Sequence, residues 1–140
     1  MKLKQIVLIV SVCIFFILIF VFTMEYFCKQ TDISIYEQKY SEALAAFTNK
    51  DFNLTLELCN DVTKNFNNKF EAELLKSKAY FFLGKNTESL NVIKKLEKKY
   101  PNYTDAIIWH ARILILLRKN NEAKQILDKQ LKLNSSDWRI

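Results

Sequence analysis

The chain has 140 residues, a formal net charge of +6, one glycine, one proline and one histidine. Glycine and proline normally make up about 7% and 5% of a chain; because both serve turns and sheets, their scarcity favours helices over a β-fold. A lone glycine excludes a Gly-rich phosphate loop, and Cys13, Cys28 and Cys59 form neither a Cys-x-x-Cys nor a Cys/His pair at zinc-site spacing.

The first element is apolar. Lys2 and Lys4 precede a run from Ile6 to Phe22 broken only by Ser11, and Thr23 and Met24 extend it. Residues 6–24 make a helix of about 28 Å at 1.5 Å per residue, which matches a hydrocarbon core of roughly 30 Å. A helix is required there because lipid offers backbone polar groups no partner. A cleaved signal peptide has a shorter apolar region ending in small residues, whereas this run leaves through Thr23-Met24-Glu25-Tyr26-Phe27. Nor do Glu25-Tyr26-Phe27 resemble the residues before a lipoprotein cysteine, so Cys28 is not expected to carry a lipid. Residues 1–30 are therefore expected to be a cytoplasmic N-terminus and a retained transmembrane anchor, with Tyr26 and Phe27 in the interfacial belt. The two lysines and the α-amino group on the short side orient the N-terminus to the cytoplasm and residues 31–140 to the periplasm or cell exterior.

Beyond the anchor a 34-residue period appears. Small residues recur at Ala43, Ser77 and Ala111 and again at Thr55, Ser89 and Ala123, with Cys59, Ile93 and Leu127 four positions after the second series. Small side chains at both positions let two helices approach closely while larger neighbours fill the gaps. Each unit reads as helix A, a turn (Lys50-Asp51, Gly84-Lys85, Arg118-Lys119-Asn120) and helix B. Closing turns are expected at Phe66-Asn67, Tyr100-Pro101 and Asn134-Ser135. The units run over about 36–69, 70–103 and 104–137. Asp137-Trp138-Arg139-Ile140 reads as the opening turn of a further helix A.

Ser77, Tyr80, Gly84, Ser89, Ile93, Leu96 and Pro101 of the middle unit resemble the tetratricopeptide repeat (TPR). The third unit keeps Ile107, Ala111, Leu114, Ala123, Leu127 and Leu131, and the first keeps Ala43, Phe52, Thr55, Cys59 and Val62. Arg118 and Ser135 replace the third unit's glycine and proline, and Glu73 and Lys76 stand where the middle unit would carry apolar residues. The resemblance implies an all-α protein, an α-solenoid of three TPR-like helix-turn-helix units following the anchor.

In the family, helix A residues line a peptide-binding groove. By register that surface is Tyr40, Leu44 and Phe47, then Leu74, Lys78 and Phe81, then Ile108, Arg112 and Ile115. It is apolar with two positive charges and suits an amphipathic helix or extended segment, with Phe47 and Phe81 as anchors; the alternative is that some of these residues pack between repeats. The family's carboxylate clamp is not expected, because only Arg112 matches it while Tyr40, Leu44, Leu74 and Ile108 fill the other places.

No catalytic constellation, cofactor or metal is expected: His110 stands alone between Trp109 and Ala111, read as a packing or surface residue. Charge is polarised, with 4 Lys against 8 acids in residues 31–75 and 14 Lys and Arg against 6 acids in residues 76–140. The run Lys94-Lys95-Leu96-Glu97-Lys98-Lys99 is read as a solvated helix face with Ile93 and Leu96 turned inward. The resulting expectation is a non-enzymatic, membrane-anchored adaptor for envelope assembly or secretion, binding a protein or peptide segment and not nucleic acid. The alternative is a secreted module, or one that binds lipid or a polyanion through its basic half.

Overall fold

The computed structural model describes residues 3–66 and 69–133, with side chains from Ser11 onward. Six helices make up the described chain, and no strand occurs among these residues. They are α1 (Leu3–Thr48), α2 (Phe52–Asn65), α3 (Phe70–Phe82), α4 (Asn86–Lys99), α5 (Thr104–Leu116) and α6 (Asn120–Leu133). The expected all-α class is what the structure has. The predicted turns at Asn67 and at Asn134-Ser135, and the stretch Asp137-Trp138-Arg139-Ile140, lie outside the described residues.

Contacts divide the chain between Gln38 and Lys39. In the first part, α1 presents apolar side chains on every side, from Val12 through Phe16 and Phe20 to Phe22, which is 70% exposed. Among the described residues this is the one helix long and apolar enough to cross a membrane. The apolar segment and the first repeat's helix A belong to one element, since neither glycine nor proline occurs between Met24 and Thr48 to end it.

From Lys39 onward, helices pair with their sequence neighbours: α2 with α3, α3 with α4, α4 with α5 and α5 with α6, and α3 also touches α5. Each A/B crossing is built on the small positions. Ala43, Thr55, Ser77, Ser89, Ala111 and Ala123 are all buried, and Cys59 and Ile93 are fully enclosed beside them. In the middle unit the crossing is polar. Ser89 Oγ donates to the Ser77 carbonyl at 2.8 Å, Ser77 Oγ donates to the Ser89 carbonyl at 3.1 Å, and the hydroxyls stand 3.0 Å apart. Each buried hydroxyl thus finds a backbone carbonyl acceptor on the other helix, which removes the penalty for burying it. In the third unit alanines occupy both places and pack with Leu114.

Layers between crossings join the units. Ala43, Cys59 and Leu75 form one cluster, whereas Leu74, Ile93, Leu96, Ala106 and Ile113 form a larger one. Full enclosure pushes the Cys59 thiol up to about 12, burial being the main cause and nearby Glu73 adding to it against the opposing pull of Lys76.

The three A/B turns are copies. Lys50, Gly84 and Arg118 have φ of 62°, 73° and 61°, each followed by an amide that reaches back five residues. Asp51 N donates to the Ala46 carbonyl at 2.9 Å, Lys85 N to Tyr80 at 2.9 Å and Lys119 N to Leu114 at 2.8 Å. This is the Schellman closure, with its left-handed residue at the helix end. Only the middle unit places glycine there; an added Cβ at Gly84 would meet nothing within 4 Å, so the preference is one of backbone conformation. Asp51 then caps α2 by accepting from Leu54 N at 3.0 Å.

Candidate interaction groove

The turn geometry places aromatic residues side by side. Phe47 lies in the last turn of α1, Phe52 opens α2, and Phe81 and Phe82 close α3. Phe52 and Phe82 stack with centroids 5.2 Å apart and an interplanar angle of 12°. Phe47 meets both edge-on, at 5.5 and 5.7 Å. The strip continues from Phe82 to Phe81 at 5.5 Å and reaches Trp109 of α5 at 5.6 Å from Phe81 and 6.2 Å from Phe82. Edge-to-face and offset pairs of this kind contribute about 0.5–1.5 kcal/mol each beyond area burial. Phe82 remains 51% exposed, so the strip is both a cross-link between units and an open aromatic surface.

Two cations sit on Trp109. Lys78 Nζ is 5.1 Å and Arg112 Cζ 4.9 Å from its ring centroid, within cation–π range. Burial holds the Lys78 ammonium below the ordinary lysine value, Arg112 adds to this, and Asp105 opposes both.

Of the residues assigned to the groove by register, the structure brings Phe47, Lys78, Phe81 and Arg112 together around Phe82 and Trp109. Leu44 and Ile115 are exposed on α1 and α5, at 45% and 52%, and Ile108 is half-buried. Tyr40 packs against the Ala43–Cys59–Leu75 cluster, where burial and then Glu71 raise its phenol above the usual range. Leu74 is 4% exposed in the larger cluster, because the stack of α3 on α5 claims that face of the helix. Register omitted Phe52, Phe82 and Trp109. For Phe52 and Phe82 the signal was the bracketing of the turns by aromatic residues, which helix A spacing does not count; Trp109 lies mid-helix in α5 and carried no such mark.

His110 has a partner that spacing did not reveal. It is buried on α5, with Nδ1 2.9 and 3.0 Å from the carboxylate oxygens of Glu97 on α4. Its Nε2 is buried without a hydrogen-bond partner among the described residues. Glu97 is therefore not simply part of a solvated run; it helps tie the second unit to the third. No group of three or more His, Cys, Asp or Glu that would hold a metal occurs among the described residues.

No protein-family model matches the sequence, and no curated protein matches it either. Among solved structures, the chain is similar to the TPR2B domain in the TPR2B-domain:pHsp70 complex of yeast Sti1. The two share 21% identity with a TM-score of 0.66, over 73% of this chain and 85% of that one. At this identity the likeness establishes the fold: the helical hairpins from α1 to α6 are TPR-like.

Proposed function

We propose that the chain is a membrane-anchored TPR-type scaffold that captures a segment of another protein on its aromatic strip. The observation that carries this reading is the strip itself, five aromatic rings from three repeats with Phe82 half exposed and two cations over Trp109. Aromatic residues in partly desolvated positions dominate interface energetics, and their rigid side chains lose little entropy on binding. The similar yeast domain is itself seen in a complex with pHsp70, which supports a protein ligand for this surface. The occupant we favour is an amphipathic helix or extended segment of a membrane or envelope protein.

Membrane attachment rests on the all-round apolar exposure of α1 between Val12 and Phe22, a surface that water disfavours and a bilayer accepts. Lys2 and Lys4 orient the N-terminus to the cytoplasm and the repeats to the far side, in an envelope assembly or secretion role. Residues 1–30 then serve as the anchor and residues 31–140 as the repeat domain. The groove is not expected to run a reaction.

The test is crosslinking in native membranes followed by mass spectrometry, comparing the wild type with Phe82→Ala and Trp109→Ala. One or more discrete partners, lost in both variants while membrane fractionation and helicity persist, is the expected result. Identical crosslink profiles in wild type and variants would remove the groove from the interaction. Release of the protein from membranes by alkaline carbonate, or an intact mass shortened near residues 23–30, would instead favour a secreted form.

A further inference from the structure

A second concavity lies between α2, α3 and α4, with a cavity volume of about 260 Å³. Lys69, Lys76, Lys95 and Lys99 surround it, and Glu73 is the sole carboxylate in the lining. Phe70 and Tyr100 supply aromatic walls, with ring centroids 5.3 Å apart, and Lys99 Nζ lies 5.4 Å from the Tyr100 centroid. A cleft with low-dielectric walls focuses the field of its charges, so an excess of three ammonium groups over one carboxylate makes this a positive well and not merely a solvated face.

The lysine run of α4 divides here. Lys95 and Lys99 line this cleft, whereas Lys94 and Lys98 line a separate concavity with Glu97, Lys129 and Gln130. The split follows from helical geometry: residues four apart share a face, and neighbours in sequence do not. The two pairs carry equal charge on one helix, yet only one of them converges with Lys69 and Lys76.

We propose that this cleft binds a phosphate-bearing anion, whose oxygens accept from Lys95, Lys99 and Lys76 while its organic part rests against Phe70 and Tyr100. Compact ammonium groups on flexible stems suit a multiply charged phosphate, which they meet as point charges without needing the planar fork of arginine. The site is distinct from the aromatic strip, and its occupancy does not depend on the strip having a partner. The same phosphate chemistry is found in a phospholipid headgroup and in a soluble phosphate.

The experiment uses the full chain in neutral phosphatidylcholine nanodiscs, titrated with pyrophosphate in one arm and with phosphatidic acid vesicles in the other. Lys95→Gln/Lys99→Gln is compared with Lys94→Gln/Lys98→Gln, which removes the same charge from the same helix. Circular dichroism verifies that both variants fold. Expected is a loss of tenfold or more in affinity for the first variant and less than threefold for the second. Binding of pyrophosphate with this pattern points to a soluble phosphate; the pattern with phosphatidic acid vesicles alone points to a headgroup. Equal losses in the two variants, or no binding in either arm, would overturn the proposal.

Discussion

Three buried residues show how local chemistry sets stability. The Ser77–Ser89 pair is self-satisfying, so removing both hydroxyls leaves no orphan. Ser77→Ala/Ser89→Ala is expected to unfold in urea within about 1 kcal/mol of the wild type, as the alanines at the third unit's crossing suggest. Ser77→Leu is expected to lose about 3 kcal/mol, because a larger side chain forces the helices apart. At Cys59 the raised thiol gives a pH signature. The unfolded thiol releases its proton near 9.0 and the folded one near 12, so the unfolded state binds fewer protons in that window and stability falls as pH rises through it. Between pH 9 and pH 10.5 the wild type should lose about 2 kcal/mol more than Cys59→Ala. Parallel losses in the two proteins by chemical denaturation would refute this account of the thiol.

At the scale of the helical hairpin, the left-handed turn residue is the shared device. Lysine and arginine at Lys50 and Arg118 adopt a conformation that glycine reaches without steric cost. Arg118→Gly and Lys50→Gly should each stabilise by up to about 1 kcal/mol, and Gly84→Ala should cost about the same. Thermal melts of the three single variants check the set, and a destabilised Arg118→Gly would contradict it. The hairpins were legible in the sequence because their crossings all require small side chains, and size repeats visibly at Ala43, Ser77 and Ala111. The groove was legible only in part. Register named Phe47, Phe81, Lys78 and Arg112, which the structure brings together, but gave Leu74 to the surface, since one helix is exposed at one turn and stacked at another and spacing does not apportion the two. Phe52 and Phe82 escaped because their meeting is made by the turn, and the His110–Glu97 contact because it joins different units.

For the repeat domain taken whole, coupling runs between neighbours, as the contacts among α2 to α6 show. Stability in such a stack is a sum of unit and interface terms. Ile113→Ala, at a fully enclosed position, should cost about 3 kcal/mol. Hydrogen exchange monitored by mass spectrometry should then show α5 and α6 opening ahead of α2. Uniform loss of protection across all five helices would mean that the stack behaves as one indivisible block. The identical turns carry a consequence for how such a chain tolerates changes in length. One residue inserted within α2 after Phe52 rotates everything beyond it by about 100°, which would carry Phe82 off Phe52 and break the aromatic strip. Single-codon insertions should therefore be survivable in the connection at Pro101-Asn102 and not between Phe52 and Asp61, so that the spacing of the turns acts as a reading frame written in three dimensions.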